Sequence, residues 1–226
     1  MALGGLSVLE TPEGLTTYLP APAGESMAAM LSRASTFLAD WLGDDPPVLS
    51  GLFRDNEDWE REWKRGLQPR RVSERFVIKP SWTSFAPEAG VHVVEIDPEM
   101  AFGTGEHPTT RGCLRLLDPL DVTGSNVCDV GSGSAILSIA AAMAGANRVL
   151  AIEFDPDANL NARDNISRNG VEDRVRLVEA YADPALLDRE GPFDLILANI
   201  LSGVILPLLP AFRASQAPAG HLIVSG

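Results

Sequence analysis

The chain has 226 residues, enough for one large domain or for one domain with a small appendage, and long enough to bury a substantial core. Hydrophobic and charged contents of 45% and 22% are those of a globular protein, while a net charge of −13 and a pI near 4.6 argue against general nucleic-acid binding, which rests on phosphate neutralisation. The same acidity would attract a basic protein. Cys113 and Cys128 are the only cysteines and suggest neither a disulfide framework nor a zinc site, so a reducing, cytoplasmic setting is expected. The first residues, with Glu10 and Glu13, show neither a basic start nor a long apolar run. No apolar run of roughly eighteen residues occurs, so no membrane span is expected.

In chain order, residues 6–19 hold two short apolar pieces around Thr11, Pro12, Glu13 and Gly14, which predicts a hairpin. Met27, Met30, Leu31, Ala34, Leu38, Trp41 and Leu42 then fall at helical spacing, and Gly43 to Pro47 stop the helix. After a linker at 46–51, a polar helix over 55–65 carries Trp59 and Trp63 one turn apart, a pattern suited to docking. Seven of the 18 Lys and Arg residues fall between Arg61 and Lys79, but Glu60, Glu62 and Glu74 interrupt them, so a solvated face is the better reading than a strip for RNA. Residues 75–78 and 91–96 read as strands, and Pro80 stops the first.

Residues 97–110 read Asp-Pro-Glu-Met-Ala-Phe-Gly-Thr-Gly-Glu-His-Pro-Thr-Thr. Gly103 and Gly105 make a loop, and Pro108 suits the first turn of a helix running to about Asp118. The N-terminus of that helix could hold a carboxylate, and Phe102 could pack over it.

The stretch 126–155 is the centre of the pattern. An apolar strand at 127–130 precedes Gly131 and Gly133, where the backbone can approach a ligand. A helix follows from Ala135 to Gly145, then a strand at 149–152 ending in Glu153, 22 residues past Gly131, where a cofactor ribose would meet a carboxylate. A dinucleotide turn wants a third glycine where Ile136 stands, and Asp129 would repel a phosphate. S-Adenosyl-L-methionine, with an ammonium, a sulfonium and no phosphate, suits the turn better than NAD. A glycine turn in an ordinary α/β protein stays open on this stretch alone.

Beyond it, Asp155 and Pro156 cap a helix ending at Asn169 and Gly170, and strands follow at 175–178 and 193–198. The latter delivers Asn199 at its C-terminal end, where ligands of open parallel sheets bind. A helix broken by Pro207 and Pro210 and a fifth strand at 222–224 complete the pattern. The expected class is α/β: a Rossmann-like sheet of parallel strands flanked by helices, with a small α+β N-terminal appendage.

Three motifs, 97–110 with its A-F-G-T-G-x-H-P-T-T core, 129–137, and A-N-I-L at 198–201, resemble the ribosomal protein L eleven methyltransferase family over about residues 55–226. The resemblance implies a class I methyltransferase that moves methyl groups from S-adenosyl-L-methionine to lysine or N-terminal amines of a large-subunit ribosomal protein. Carried over position by position, it implies cofactor contacts at Thr110, Gly131, Glu153 and Asn199, with Phe102, Gly103, Thr104, Asp129 and Gly133 beside them, and Asn199 as the catalytic residue. No metal is expected. The family turn usually has glycine at the position of Ala135, cysteine at that of Ser132, and aspartate at that of Glu153.

The resemblance divides the chain into a partial substrate-recognition region (1–51), a linker helix and hairpin (52–80), and the methyltransferase domain (81–226). Family sheets usually add two strands after the fifth, so residues 222–224 are expected to form an apolar edge prone to association. The alternatives are a methyltransferase for another protein lysine or a small amine, and an inactive scaffold that still binds the cofactor or a partner.

Overall fold

The computed structural model describes residues 8–11, 14–17, 26–42, 48–51, 67–97 and 107–226. The chain divides into two units, residues 1–66 and 67–226. In the first, β1 (Val8–Thr11) and β2 (Gly14–Thr17) pair antiparallel, and α1 spans Met27–Leu42. Met27, Met30, Leu31, Ala34 and Leu38 are half-buried on one face of α1, as their spacing predicts. The tryptophan helix at 55–65 lies outside the described residues.

The second unit opens with a three-stranded sheet of β3 (Arg70–Arg71), β4 (Phe76–Lys79) and β5 (His92–Glu95). β3 runs antiparallel to β4, and β4 runs parallel to β5. The basic residues here are engaged: Arg71 pairs with Glu88, Arg75 with Asp118, and Lys79 with Glu95.

The main sheet has five strands in the order β10-β9-β6-β7-β8, all parallel. They are β6 (Asn126–Val130), β7 (Arg148–Glu153), β8 (Val175–Glu179), β9 (Phe193–Asn199) and β10 (Gln216–Ser225). The connecting helices are α3 (Ile136–Met143), α4 (Pro156–Arg168), α5 (Pro184–Glu190) and α6 (Ser202–Ser215), with α2 (Pro108–Leu117) ahead of β6. Alternation along each strand feeds two cores. Val127, Val149, Ala151, Leu195 and Leu197 pack with α2, α3 and α4, whereas Cys128, Val130, Leu150, Ile152 and Ile196 pack with α5 and α6. Because both faces are covered, these strands are apolar runs.

Three elements differ from the sequence reading. α6 is continuous through Pro207 and Pro210, because Ile205, Leu208 and Phe212 are buried against the second core and packing outweighs the lost hydrogen bonds. α5 stands where no helix is predicted; Asp183 caps it by accepting from the Leu186 N–H at 2.8 Å, and Pro184 opens it. β10 begins at Gln216 rather than Leu222, with an irregularity in register before His221.

Candidate active site

β6 is flanked by β7 on one side and β9 on the other, so the order of strands reverses around it and a crevice opens at their C-terminal ends. A cavity of about 780 Å³ occupies that crevice. Of the residues singled out from the sequence, Thr110, Asp129, Gly131, Gly133, Glu153 and Asn199 all line it. They come from the ends of four different elements. Phe102, Gly103 and Thr104 lie outside the described residues.

The glycine turn is built on left-handed backbone. Gly131 has φ +71°, and a Cβ there would lie 2.2 Å from Ile200 Cγ2, so only glycine fits. Gly133 has φ +52°. Ala135, at the N-cap of α3, has φ +63°, a conformation that costs a non-glycine residue about 1–2 kcal/mol. The resemblance implies glycine there, and the structure shows what the departure requires of the backbone.

Glu153 closes the turn. Its Oε2 accepts from the Gly133 N–H at 2.9 Å, and its Oε1 accepts from the Phe154 and Asp155 N–H groups at 2.9 and 3.0 Å. The carboxylate therefore ties the end of β7 to the glycine turn, and with Oε1 already accepting two donors, Oε2 keeps lone-pair capacity for one more.

Asp129 sits deeper than the sequence suggests. It is 1% exposed and lies on the strand face that packs against α3, where Ser138 Oγ donates to its Oδ2 at 2.6 Å. Its pKa is pushed up from 3.8 to about 6, first by desolvation and also by the Glu153 charge, against the lowering effect of Ser138. Asp129 is thus a buried anion on the cavity floor rather than a carboxylate at its mouth.

Asn199 ends β9, and its Nδ2 donates to Thr110 Oγ1 at 3.1 Å. That bond engages one of the two amide N–H donors and orients the group, with Oδ1 able to accept. His107 caps α2 by accepting from the Thr109 N–H through Nδ1. Both cysteines are buried and free, and burial raises both thiols, Cys113 to about 11. Among the described residues no His, Cys, Asp and Glu grouping could hold a metal, and no helix is long and apolar enough to cross a membrane.

Sequence reasoning missed Ser138 and the rim pair Phe154 and Tyr181, whose rings stack with centroids 4.6 Å apart. Ser138 could have been found as the one hydroxyl on an otherwise apolar buried helix face, since a buried polar group needs a partner. Among the described residues the lining holds two carboxylate side chains and no Lys or Arg. It is suited to a cation and unsuited to a pyrophosphate.

The profile of the family described as Ribosomal protein L11 methyltransferase (PrmA) matches residues 30–226. The chain belongs to this family. Among curated relatives, the Ribosomal protein L11 methyltransferases of Pelotomaculum thermopropionicum and Geobacter sulfurreducens are each 42% identical, over 92% and 99% of this chain. That of Symbiobacterium thermophilum is 47% identical over 76%. These alignments span 66%, 73% and 55% of the relatives' own lengths. A solved ribosomal protein L11 methylase from Lactobacillus delbrueckii subsp. bulgaricus superimposes with a TM-score of 0.62 at 34% identity, covering 70% of this chain and 79% of its own. The family's Rossmann-like sheet is therefore the fold of this chain.

Proposed function

We propose that this chain binds S-adenosyl-L-methionine in the 780 Å³ crevice and transfers its methyl group to an amine of ribosomal protein L11, on lysine or at the N-terminus. The observation that carries the reading is the lining: a buried carboxylate on the floor, a second one at the end of β7 and, among the described residues, no Lys or Arg, in a member of this family.

Asp129 offers a partner to a cationic group, and Glu153 accepts from a ribose hydroxyl through Oε2. The α2 N-terminus, where Thr109 and Thr110 line the cavity, suits the methionine carboxylate. Phe154, next to Glu153, offers a face to the adenine. When bound, the cofactor supplies a methyl group activated on a sulfonium. The acceptor amine must arrive neutral, against a free lysine pKa of about 10.4. Ile200, Leu201, Val204 and Leu208 line the cavity and lower that value by desolvation. Asn199 Oδ1 then orients the neutral nitrogen without holding it as a salt-bridged cation, and positioning supplies much of the rate. The N-terminal region, residues 1–51, contributes to capture of the protein substrate, and the acidity of the chain favours a basic one.

Calorimetric titration with S-adenosylmethionine, followed by mass spectrometry of ribosomal protein L11 after incubation with both, tests this directly. Asn199→Ala should cut turnover far more than cofactor affinity, whereas Glu153→Ala should chiefly cut affinity. A flat titration would leave a scaffold. Methylation of other lysine proteins or small amines, but not of L11, would transfer the substrate assignment.

A further inference from the structure

α4 presents Asn161 and Asn165 four residues apart, and Asn169 follows at its C-cap, so the three amides stand in a row. All three reach other segments, and Asn161 and Asn165 are buried. Asn169 meets the backbone of Glu95 twice, accepting from its N–H at 2.8 Å and donating to its C=O at 2.7 Å. Two residues on, the Asp97 N–H donates to Asn165 Oδ1 and Asn161 Nδ2 donates to the Asp97 C=O, both at 3.2 Å. Residues 95 and 97 present the same edge, since strand hydrogen-bonding alternates. The amides of α4 therefore stand in for a neighbouring strand beside β5.

Asn165 does more than complete this edge. Its Nδ2 donates to the Ser134 C=O at 3.2 Å and to Asn161 Oδ1 at 3.2 Å, while its Oδ1 also accepts from Arg168 at 3.3 Å. Arg168 in turn pairs with the Asp97 carboxylate, which accepts from the Ser81 N–H and Oγ. Ser134 lies between Gly133 and Ala135, both left-handed, so the direction of its carbonyl sets the peptide that joins the glycine turn to α3. One residue earlier, the Gly133 N–H is fixed by Glu153. The turn is thus held on one side by a carboxylate that lines the cavity and on the other by an amide that does not.

We propose that Asn165 is a positioning residue for cofactor binding: by holding the Ser134 carbonyl it keeps the 131–135 turn in its binding conformation and registers it against the strand end at Asp97. This rests on the S-adenosylmethionine reading above. Asn169 supplies the control, because it makes the same kind of contact with β5 and none with the turn.

The test compares wild type with Asn165→Ala, Asn165→Asp and Asn169→Ala by calorimetric titration with S-adenosylmethionine, at a temperature where melting curves show each protein folded. Asn165→Ala should raise Kd by about ten-fold or more, since a buried carbonyl loses its donor. Asn165→Asp keeps the acceptor for Asp97 but turns an oxygen toward Ser134, and should raise Kd likewise; it decides the matter if the alanine variant fails to fold. Asn169→Ala should lower the melting temperature while leaving Kd within about two-fold of wild type. Unchanged Kd in the folded Asn165 variants, or an equal rise in Asn169→Ala, overturns the proposal. A flat wild-type titration instead removes the cofactor reading beneath it.

Discussion

Replacing Asp129 with asparagine should make the protein more stable and a poorer binder of S-adenosylmethionine. The side chain lies beside Ala151 on β7 and Leu197 on β9 on a helix-covered face of the sheet, where Ser138 donates to it. A carboxyl moved from 3.8 to about 6 holds its proton more tightly folded than unfolded. Its contribution to stability is therefore full below about pH 3.8 and is lost as pH rises through about 6. Above that window the fold carries a buried carboxylate at a cost of about 3 kcal/mol, from about 1.36 kcal/mol per pKa unit. Asparagine can still accept from Ser138 and never ionises, so the stability difference between variant and wild type should grow by about 3 kcal/mol in the variant's favour from about pH 3 to about pH 7.5. At 226 residues this is about 6–12 °C in melting temperature. Affinity moves the other way. Wild-type affinity should fall as pH drops below about 6, whereas Asp129→Asn should bind at least about ten-fold more weakly at neutral pH and show no such dependence. Urea unfolding and titration of both proteins at each pH give the answer. A stability difference that does not change with pH, or equal affinities at neutral pH, refutes the reasoning.

Two substitutions in the glycine turn follow from its backbone. Gly131→Ala combines φ +71° with a methyl group placed 2.2 Å from Ile200 Cγ2, and should destabilise by about 3 kcal/mol and abolish measurable cofactor binding, read by thermal melting and calorimetry. Ala135→Gly relieves about 1–2 kcal/mol of left-handed strain, but gives up about 0.8 kcal/mol of buried methyl and about 0.4–1 kcal/mol through a freer unfolded chain. The contributions nearly cancel, so its melting temperature should stay within about 3 °C of wild type.

Much of the main sheet was legible because its strands are apolar runs closed by glycine, proline or a carboxylate, and the residues that end them are the residues that line the cavity. Asp155 with Pro156 and Asn169 with Gly170 bounded α4 in the same way. The misses have definite causes. α5 carries the same cap chemistry in Asp183 and Pro184, but at seven residues it is too short to display a helical stripe. α6 was read as broken because proline opposes a helix locally, whereas Phe212 and Leu208 decide its course through contacts far away in sequence.

The depth of Asp129 was hidden for a related reason. In a strand buried on both faces, alternation carries no sign of which side is up, so the sequence showed an acid near a turn without showing that it points under α3. That hidden placement gives the acid its force. An exposed carboxylate would be screened by water and bind a cation weakly, while one between Ala151 and Leu197 is expensive to ionise without a partner. The asparagines of α4 show the complementary case. Read along the sequence they are polar residues on a polar helix, yet their partners stand 31 and 68 residues away at Ser134 and Asp97. Both the buried acid and the amide row therefore depend on side chains converging across the fold, and both act on one turn: Asp129 by charge beneath it, Asn165 by holding its carbonyl from behind.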